Sequence, residues 1–172
     1  MEGRVGNMIF VTVGTHEQQF NRLVEYMDKW AAEHDEKVVI QSGYSTYEPK
    51  HCEWSKLYPY QKMVEMVDSA RIVITHGGPS SFIMPLQIGK APIVVPRQKK
   101  YDEHVNDHQV KFCKEVESRM GTIVVVEDID KLGGVIEGYG EIKKEGRNPS
   151  NNAMFCKELE RIVDEMFEGN RK

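Results

Sequence analysis

The sequence has few cysteines and no long apolar run, and both shortages narrow the class of protein. Its three cysteines, Cys52, Cys113 and Cys156, are an odd number without C-x-x-C spacing. Such a set is typical of reduced cytosolic thiols rather than of a disulfide framework. No apolar stretch approaches the roughly 20 residues that a membrane-spanning helix needs, and no signal-peptide pattern opens the chain. We therefore expect a cytoplasmic chain that would need another protein to hold it at a membrane.

Concentrated positive charge is also missing. The 172 residues carry a formal net charge of −4, and the 23 lysines and arginines are scattered along the chain. A groove for nucleic acid needs clustered positive charge, so we expect no nucleic-acid partner. The length suits one domain. We place it at residues 8–168, with residues 1–7 as a disordered extension.

Two common nucleotide-binding motifs are absent as well. The chain contains no G-x-x-x-x-G-K-[ST] segment, which argues against a P-loop NTPase. No G-x-G-x-x-G follows the first predicted strand, which argues against an ordinary NAD site. We expect no cofactor.

What the chain does contain is an alternation of apolar strands and amphipathic helices. Strands are predicted at Met8–Val13, Val38–Gln41, Ile72–His76, Ile93–Val95 and Thr122–Val126. Helices are predicted at 20–34, 63–70, 79–88, 106–119 and 150–167, whereas 42–60 is irregular and the glycine-rich 133–146 is a poor helix candidate. This order predicts an α/β, Rossmann-like fold with a doubly wound parallel sheet and helices on both faces.

The turn after the Ile72 strand carries the strongest functional signal. His76-Gly77-Gly78-Pro79 leads from a β-branched strand into a helix, followed by Ser80 and Ser81. A helix start leaves backbone N–H groups free for a phosphate, glycine lets a ligand approach closely, and proline suits the first turn. The alternative is an ordinary strand-to-helix turn. His76 itself would contact a ligand or support the loop through a hydrogen bond.

Other polar residues should meet this turn, because ligands of such sheets bind at the carboxyl ends of the strands. The same edge should carry Gly14, Thr15 and His16, then residues 41–43 and residues 97–106. His16 is a candidate base or phosphate donor, since histidine titrates near neutral pH. It could equally be a turn histidine that faces water.

Four segments together resemble the C-terminal, nucleotide-sugar-binding half of family 28 GT-B glycosyltransferases. They are Ile9-Phe-Val-Thr-Val-Gly-Thr15, Ala70-Arg-Ile-Val-Ile-Thr-His-Gly-Gly78, Gly89-Lys-Ala-Pro-Ile-Val-Val-Pro-Arg97 and His104-Val-Asn-Asp-His-Gln109. The chain is most similar to small stand-alone versions of that half. These are the catalytic subunit of the dolichol-linked N-acetylglucosaminyltransferase and bacterial capsule and exopolysaccharide galactosyl- and glucosyltransferases.

The resemblance implies inverting, metal-independent transfer of a hexose from a UDP-sugar to a lipid-linked saccharide. It assigns the UDP phosphates to Gly77 and Gly78, with Pro79, Ser80 and Ser81, and the sugar to Asn106 and Gln109. Gly14, Thr15 and His16 would close the site, with His16 as candidate base, and His76 and Arg97 would contact the donor. Many relatives hold the ribose with a carboxylate where this chain has Met84, so the ribose must be bound differently here.

The chain has room for a single GT-B half-domain, and the resemblance therefore implies a partner. We expect a membrane-anchored Rossmann-like subunit that supplies the acceptor side and holds the chain at the inner face of the membrane. UDP-galactose or UDP-glucose is the favoured donor. The alternatives are UDP-N-acetylglucosamine, a non-catalytic UDP-sugar-binding subunit and a UDP-sugar epimerase, although an epimerase would need a longer chain.

Several other residues allow both a functional and a structural interpretation. His104 and His108 are spaced for a helical zinc pair but lack an obvious third ligand. Asp128-Ile-Asp130 matches the D-x-D of metal-dependent transferases, although a helix cap fits its position better. Lysines 99 and 100 could steer an anionic donor into the cleft or simply face solvent. The aromatic residues of the 42–60 loop could stack on the nucleotide base or pack against each other. The C-terminal helix could cover the sheet of this domain or bind a partner protein.

Overall fold

The computed structural model describes residues 8–144, together with Arg161, Asp164 and Glu165. The predicted extension at residues 1–7 and most of the predicted helix at 150–167 lie outside the described residues. The domain boundaries 8–168 therefore remain a prediction.

Six parallel strands form one sheet. They are β1 (Met8–Thr12), β2 (Lys37–Gln41), β3 (Glu53–Ser55), β4 (Ile72–His76), β5 (Ile93–Val95) and β6 (Val124–Val125), in the spatial order β3-β2-β1-β4-β5-β6. This is the strand order of a doubly wound dinucleotide-binding fold. The predicted Rossmann-like α/β fold is confirmed.

Helices cover both faces of the sheet. They are α1 (Asn21–Glu33), α2 (Tyr60–Ser69), α3 (Pro79–Gln87), α4 (His108–Met120), α5 (Leu132–Glu137) and α6 (Tyr139–Lys144). Because side chains alternate along a strand, Ile9 and Val11 of β1 pack on the face that holds α1, whereas Phe10 packs against α2 on the other face. Burial on both faces explains why the central strands are continuous apolar runs.

The structure differs from the predicted elements at two places. The segment 42–60, predicted as irregular, contains the edge strand β3, which pairs with β2 through Ile40 and Trp54. The glycine-rich segment after residue 132 forms α5 and α6. Tyr139 anchors them, since its ring is buried and its hydroxyl donates to the Ala91 carbonyl at 2.8 Å.

The Asp128-Ile-Asp130 segment is a helix cap. The Asp128 carboxylate accepts a hydrogen bond from the Asp130 amide at 3.0 Å, at the start of the 3₁₀ turn Ile129–Lys131. Within the described part of the chain, no helix combines the length and the apolar character needed to cross a membrane.

Candidate functional site

A cavity of about 360 Å³ opens at the carboxyl ends of β1 and β4. The strand order reverses between these two strands. Ligands of open α/β sheets bind in the crevice at such a switch point. We call this space the switch-point cavity.

Its lining has one polar and one apolar wall. The polar wall consists of Thr12, Gln41, His76, Ser80, Ser81 and Gln109, and the loop after β1 adds Gly14, Thr15 and His16. The apolar wall consists of Met63, Val67 and Met84. The structure thus brings together Gly14, Thr15, His16, His76, Ser80, Ser81 and Gln109 from the predicted site. Gln41 comes from the segment 41–43 that was expected at this edge. Thr12 was missed from the sequence, because a polar residue at the end of a buried strand gives no separate signal.

A hydrogen-bond network fixes the protonation state of His76. The Gln109 side-chain oxygen accepts from the Gly77 and Arg97 amides, each at 3.1 Å, so its NH₂ group faces His76 Nδ1 at 3.4 Å. The Gly78 amide also donates to His76 Nδ1, at 3.2 Å. Nδ1 is therefore an acceptor, and the ring proton sits on Nε2, which donates to Ser81 Oγ at 2.8 Å. Burial, with a contribution from the Arg97 cation, lowers the pKa of His76 to about 3, so the ring is neutral at physiological pH.

This network changes the role expected for the two glycines. The amides of Gly77 and Gly78 were predicted to hold phosphate, but both donate to side chains of the protein itself. Neither glycine lines the switch-point cavity, and neither does Pro79. The amide that helix geometry leaves without an intrahelical partner beside the cavity is that of Ser80.

Replacing Gly78 with alanine tests this packing role. A Cβ at Gly78 would lie 2.3 Å from His76 Cε1, so the ring must move and the bond to Ser81 is lost. We expect Gly78→Ala to reduce the free energy of unfolding by about 1–3 kcal/mol, measured by urea denaturation. Gly134→Ala suits as a control for the added methyl group, since no atom lies within 4 Å of its Cβ position and its φ is not in the left-handed region. A Gly78→Ala variant more stable than Gly134→Ala would contradict the packing role.

Arg97 does not line the switch-point cavity, and its contact with the donor stays a prediction. Its side chain is fully buried, and its guanidinium donates to the carbonyl oxygens of Val13 (2.7 Å), Gln18 (2.8 Å), Gln19 (3.2 Å) and Glu103 (3.1 Å). Burial lowers the pKa of Arg97 to about 10, and the nearby Glu103 carboxylate partly offsets this effect. Arg97 therefore remains a cation and ties the loop after β1 to the loop after β5.

Asn106 also lies outside the cavity lining. Its side-chain oxygen accepts from the His108 amide at 3.0 Å, and its own amide donates to His104 Nδ1 at 3.4 Å. It thus stabilises the start of α4. The predicted contact between Asn106 and the sugar has no support in this arrangement, whereas Gln109 does line the cavity.

His16 lines the cavity from the loop after β1. Its Nε2 lies 2.8 Å from Gln18 Oε1, and its ring stacks on His104 with centroids 4.8 Å apart and planes inclined by 10°. Burial lowers the pKa of His104, and His16, Arg97 and His108 lower it further. Among the described residues no group of three or more histidine, cysteine or carboxylate side chains is arranged to hold a metal ion, and so the zinc pair finds no third ligand there.

A larger hollow of about 580 Å³ lies beside β6, against Gln98, Tyr101 and Lys131. Its two carboxylates already have partners, since Glu127 pairs with Lys114 at 2.7 Å and Asp128 caps the following turn. It also lies away from the strand-order reversal. We therefore regard the smaller switch-point cavity as the candidate site.

Comparison with known proteins agrees with this architecture. The family model described as glycosyltransferase family 28 C-terminal domain matches residues 8–163. No curated protein gives a significant sequence match. Among solved structures, the chain is similar to the glycotransferase of kitacinnamycin, with a TM-score of 0.62, 17% identity, and coverage of 94% of this chain and 41% of that one.

Two further solved structures share the fold. The spinosyn forosaminyltransferase matches with a TM-score of 0.57 and 15% identity, over 94% of this chain and 43% of that one. The calicheamicin glycosyltransferase matches with a TM-score of 0.53 and 14% identity, over 94% of this chain and 44% of that one. The chain spans less than half the length of these proteins, and its architecture is that of a GT-B half-domain. Because the family model covers residues 8–163, the chain belongs to the glycosyltransferase family 28 C-terminal domain family.

Proposed function

We propose that this chain is the donor-binding, catalytic half of an inverting glycosyltransferase. It transfers a hexose, with UDP-galactose or UDP-glucose as favoured donor, to a polyprenyl-diphosphate-linked saccharide in capsule or exopolysaccharide synthesis. The observation that carries the proposal is a hydroxyl-lined cavity at the strand-order reversal of a family 28 domain.

The lining suits a nucleoside diphosphate without a metal ion. No lysine, arginine or carboxylate lies among the described residues that line the cavity, and His76 is neutral. The positive potential comes instead from hydroxyl groups and from the N-terminal end of α3, which begins at Pro79. Such fixed dipoles stabilise the charge that develops on a leaving diphosphate without reorganising.

The apolar wall offers a surface for the nucleoside. Met63 and Val67 of α2 and Met84 of α3 line the cavity together with the hydroxyl groups. Met84, which stands where many relatives have a ribose-binding carboxylate, thus faces the cavity but can contribute only packing. We infer that the nucleoside is held here more by apolar contact than by hydrogen bonds to the ribose.

The reaction needs a base for the acceptor hydroxyl. The acceptor oxygen forms a bond to the anomeric carbon from the face opposite the phosphate, and the bond to the phosphate oxygen breaks with its electron pair moving to UDP. The acceptor proton passes to a base. His16 is the histidine at the cavity with a partly exposed ring, and we propose it for this role.

We propose that a second Rossmann-like unit supplies the acceptor side. The matched chains are more than twice as long as the part that this chain covers. Exposed apolar side chains project from loops and from the start of α2 at or near the carboxyl edge of the sheet, namely Tyr44, Leu57, Tyr60 and Val105. We propose that a membrane-anchored Rossmann-like subunit covers this edge and holds the chain at the inner face of the membrane.

Co-expression with such a partner tests the proposal. A neighbouring reading frame that encodes one membrane helix and a Rossmann-like domain is the candidate to express. Membranes containing both chains are assayed with a panel of UDP-hexoses and lipid-linked acceptor, and membranes with the partner alone are the control. We expect transfer from UDP-galactose or UDP-glucose, unchanged by EDTA, and a rise in the melting temperature of the isolated chain with UDP.

Each other outcome has a defined meaning. Transfer from UDP-N-acetylglucosamine alone would identify the alternative donor. UDP binding without any transfer would identify a non-catalytic binding subunit. The absence of both UDP binding and transfer would refute the proposed function.

A further inference from the structure

Thr12, at the end of β1, is a cavity residue with a defined hydrogen-bond polarity. Its Oγ1 accepts from the Gly14 amide at 3.2 Å and from Gln41 Nε2 at 3.0 Å. The orientation of Gln41 is fixed, because its Oε1 accepts from the Tyr58 amide at 3.0 Å. Both acceptor positions of the Thr12 oxygen are therefore engaged by the protein, and its hydroxyl proton remains to be donated.

The same logic holds for Ser81 in the first turn of α3, the helix that follows the neighbouring strand β4. Ser81 Oγ accepts from the protonated Nε2 of His76, whose tautomer is set by the Gly78 amide and Gln109. Its hydroxyl proton is likewise available to the cavity. Strand β1 and the first turn of α3 thus each place a buried or half-buried hydroxyl at the cavity with its proton free.

We propose that Thr12 donates its hydroxyl proton to a phosphate oxygen of a nucleoside diphosphate in the switch-point cavity, together with Ser81. This inference rests on the proposed function and names a contact that neither the motif analysis nor the family match assigns. A phosphate oxygen is an acceptor only, and it therefore matches hydroxyl groups that can only donate. Gln41 acts as a positioning residue, because it directs the Thr12 hydroxyl without touching the ligand phosphate itself.

The structure supplies a matched control in Thr75. It lies directly opposite Thr12 in the β1–β4 register and is fully buried. Its hydroxyl, however, donates to the His76 carbonyl at 2.9 Å, so it has no proton for a ligand. Thr75→Val removes a hydroxyl of the same kind from the neighbouring strand, without removing a donor from the cavity.

Calorimetric titration of the isolated chain with UDP and with uridine tests the proposal. We expect Thr12→Val to weaken UDP binding about 10- to 100-fold, as for a lost hydrogen bond to a charged group, and uridine binding less than about twofold. Thr75→Val should leave both affinities near those of the wild type. Thr12→Ser keeps the hydroxyl and should keep most of the UDP affinity, and Thr12→Ala replaces the valine variant if that variant does not fold.

The inference is overturned if Thr12→Val binds UDP as tightly as the wild type does. It is also overturned if UDP and uridine are weakened equally, since the effect would then be one of packing. If the wild-type chain binds neither ligand, the proposed function itself fails. If the wild-type chain binds UDP and the Thr12 variant binds it equally well, only the present inference is refuted.

Discussion

Arg97→Met is expected to lower the free energy of unfolding by about 3–5 kcal/mol in urea denaturation. The methionine fills part of the space but cannot donate. It would leave the buried carbonyl oxygens of Val13 and Glu103, and those of Gln18 and Gln19, without the donor that now binds all of them. An unpaired buried acceptor destabilises the folded state by about 1–3 kcal/mol. Several at once, in two loops that this guanidinium bridges, should exceed the effect of any surface charge.

Two further variants separate this role from that of a ligand contact. Lys99→Met removes an exposed cation two residues away and should change the stability by no more than about 0.5 kcal/mol. Arg97→Lys keeps the charge but not the planar fork of hydrogen-bond donors. The loss of unfolding free energy should therefore lie between those of Arg97→Met and Lys99→Met. A stable Arg97→Met variant that has lost affinity for UDP would instead support the donor contact predicted from the sequence.

The sheet could largely be predicted from the sequence because its signals are local. Runs such as Ile72–His76 and Ile93–Val95 are apolar and β-branched, and each is followed by a glycine or proline turn. The edge strand β3 has no such pattern. Glu53, Trp54 and Ser55 form a strand because β2 offers them a backbone to pair with, and a contact across the sheet leaves no trace in the local sequence.

The position of the site could also be predicted, whereas the function of single residues within it could not. The rule for carboxyl edges placed His16 and His76 near each other, and the family resemblance added Gln109. Glycines at 77 and 78 signal a need for space, but only the structure shows that the His76 ring occupies the space beside Gly78. The sequence likewise shows that residue 97 is a cationic arginine, but not that its side chain is buried.

Hydrogen-bond direction is the other property that a sequence does not contain. Thr12 has the residue type of an ordinary strand position, and its role as a donor follows only from which atoms of Gln41 and Gly14 face it. The same is true of the neutral state of His76, which follows from burial and from the Gly78 amide. Such features depend on several segments that are distant in sequence.

His16→Ala is expected to reduce kcat for hexosyl transfer by about 10²–10⁴-fold, the range for loss of a general base. The ring lines the cavity and stacks on His104, and Gln18 fixes it through Nε2. Its ring is therefore held in a defined orientation at the cavity. The measurement is transfer in membranes that contain the proposed partner subunit, with UDP affinity determined separately by calorimetry.

The comparison of kcat with affinity decides between the roles open to this histidine. A base affects kcat and leaves UDP affinity within about threefold of the wild type, and added imidazole should restore part of the rate. A phosphate donor would show the reverse, with weaker UDP binding and no rescue. His51→Gln, at an exposed histidine outside the cavity, should change neither quantity. If His16→Ala behaves like His51→Gln, the base does not belong to this histidine, and the partner subunit becomes the place to look for it.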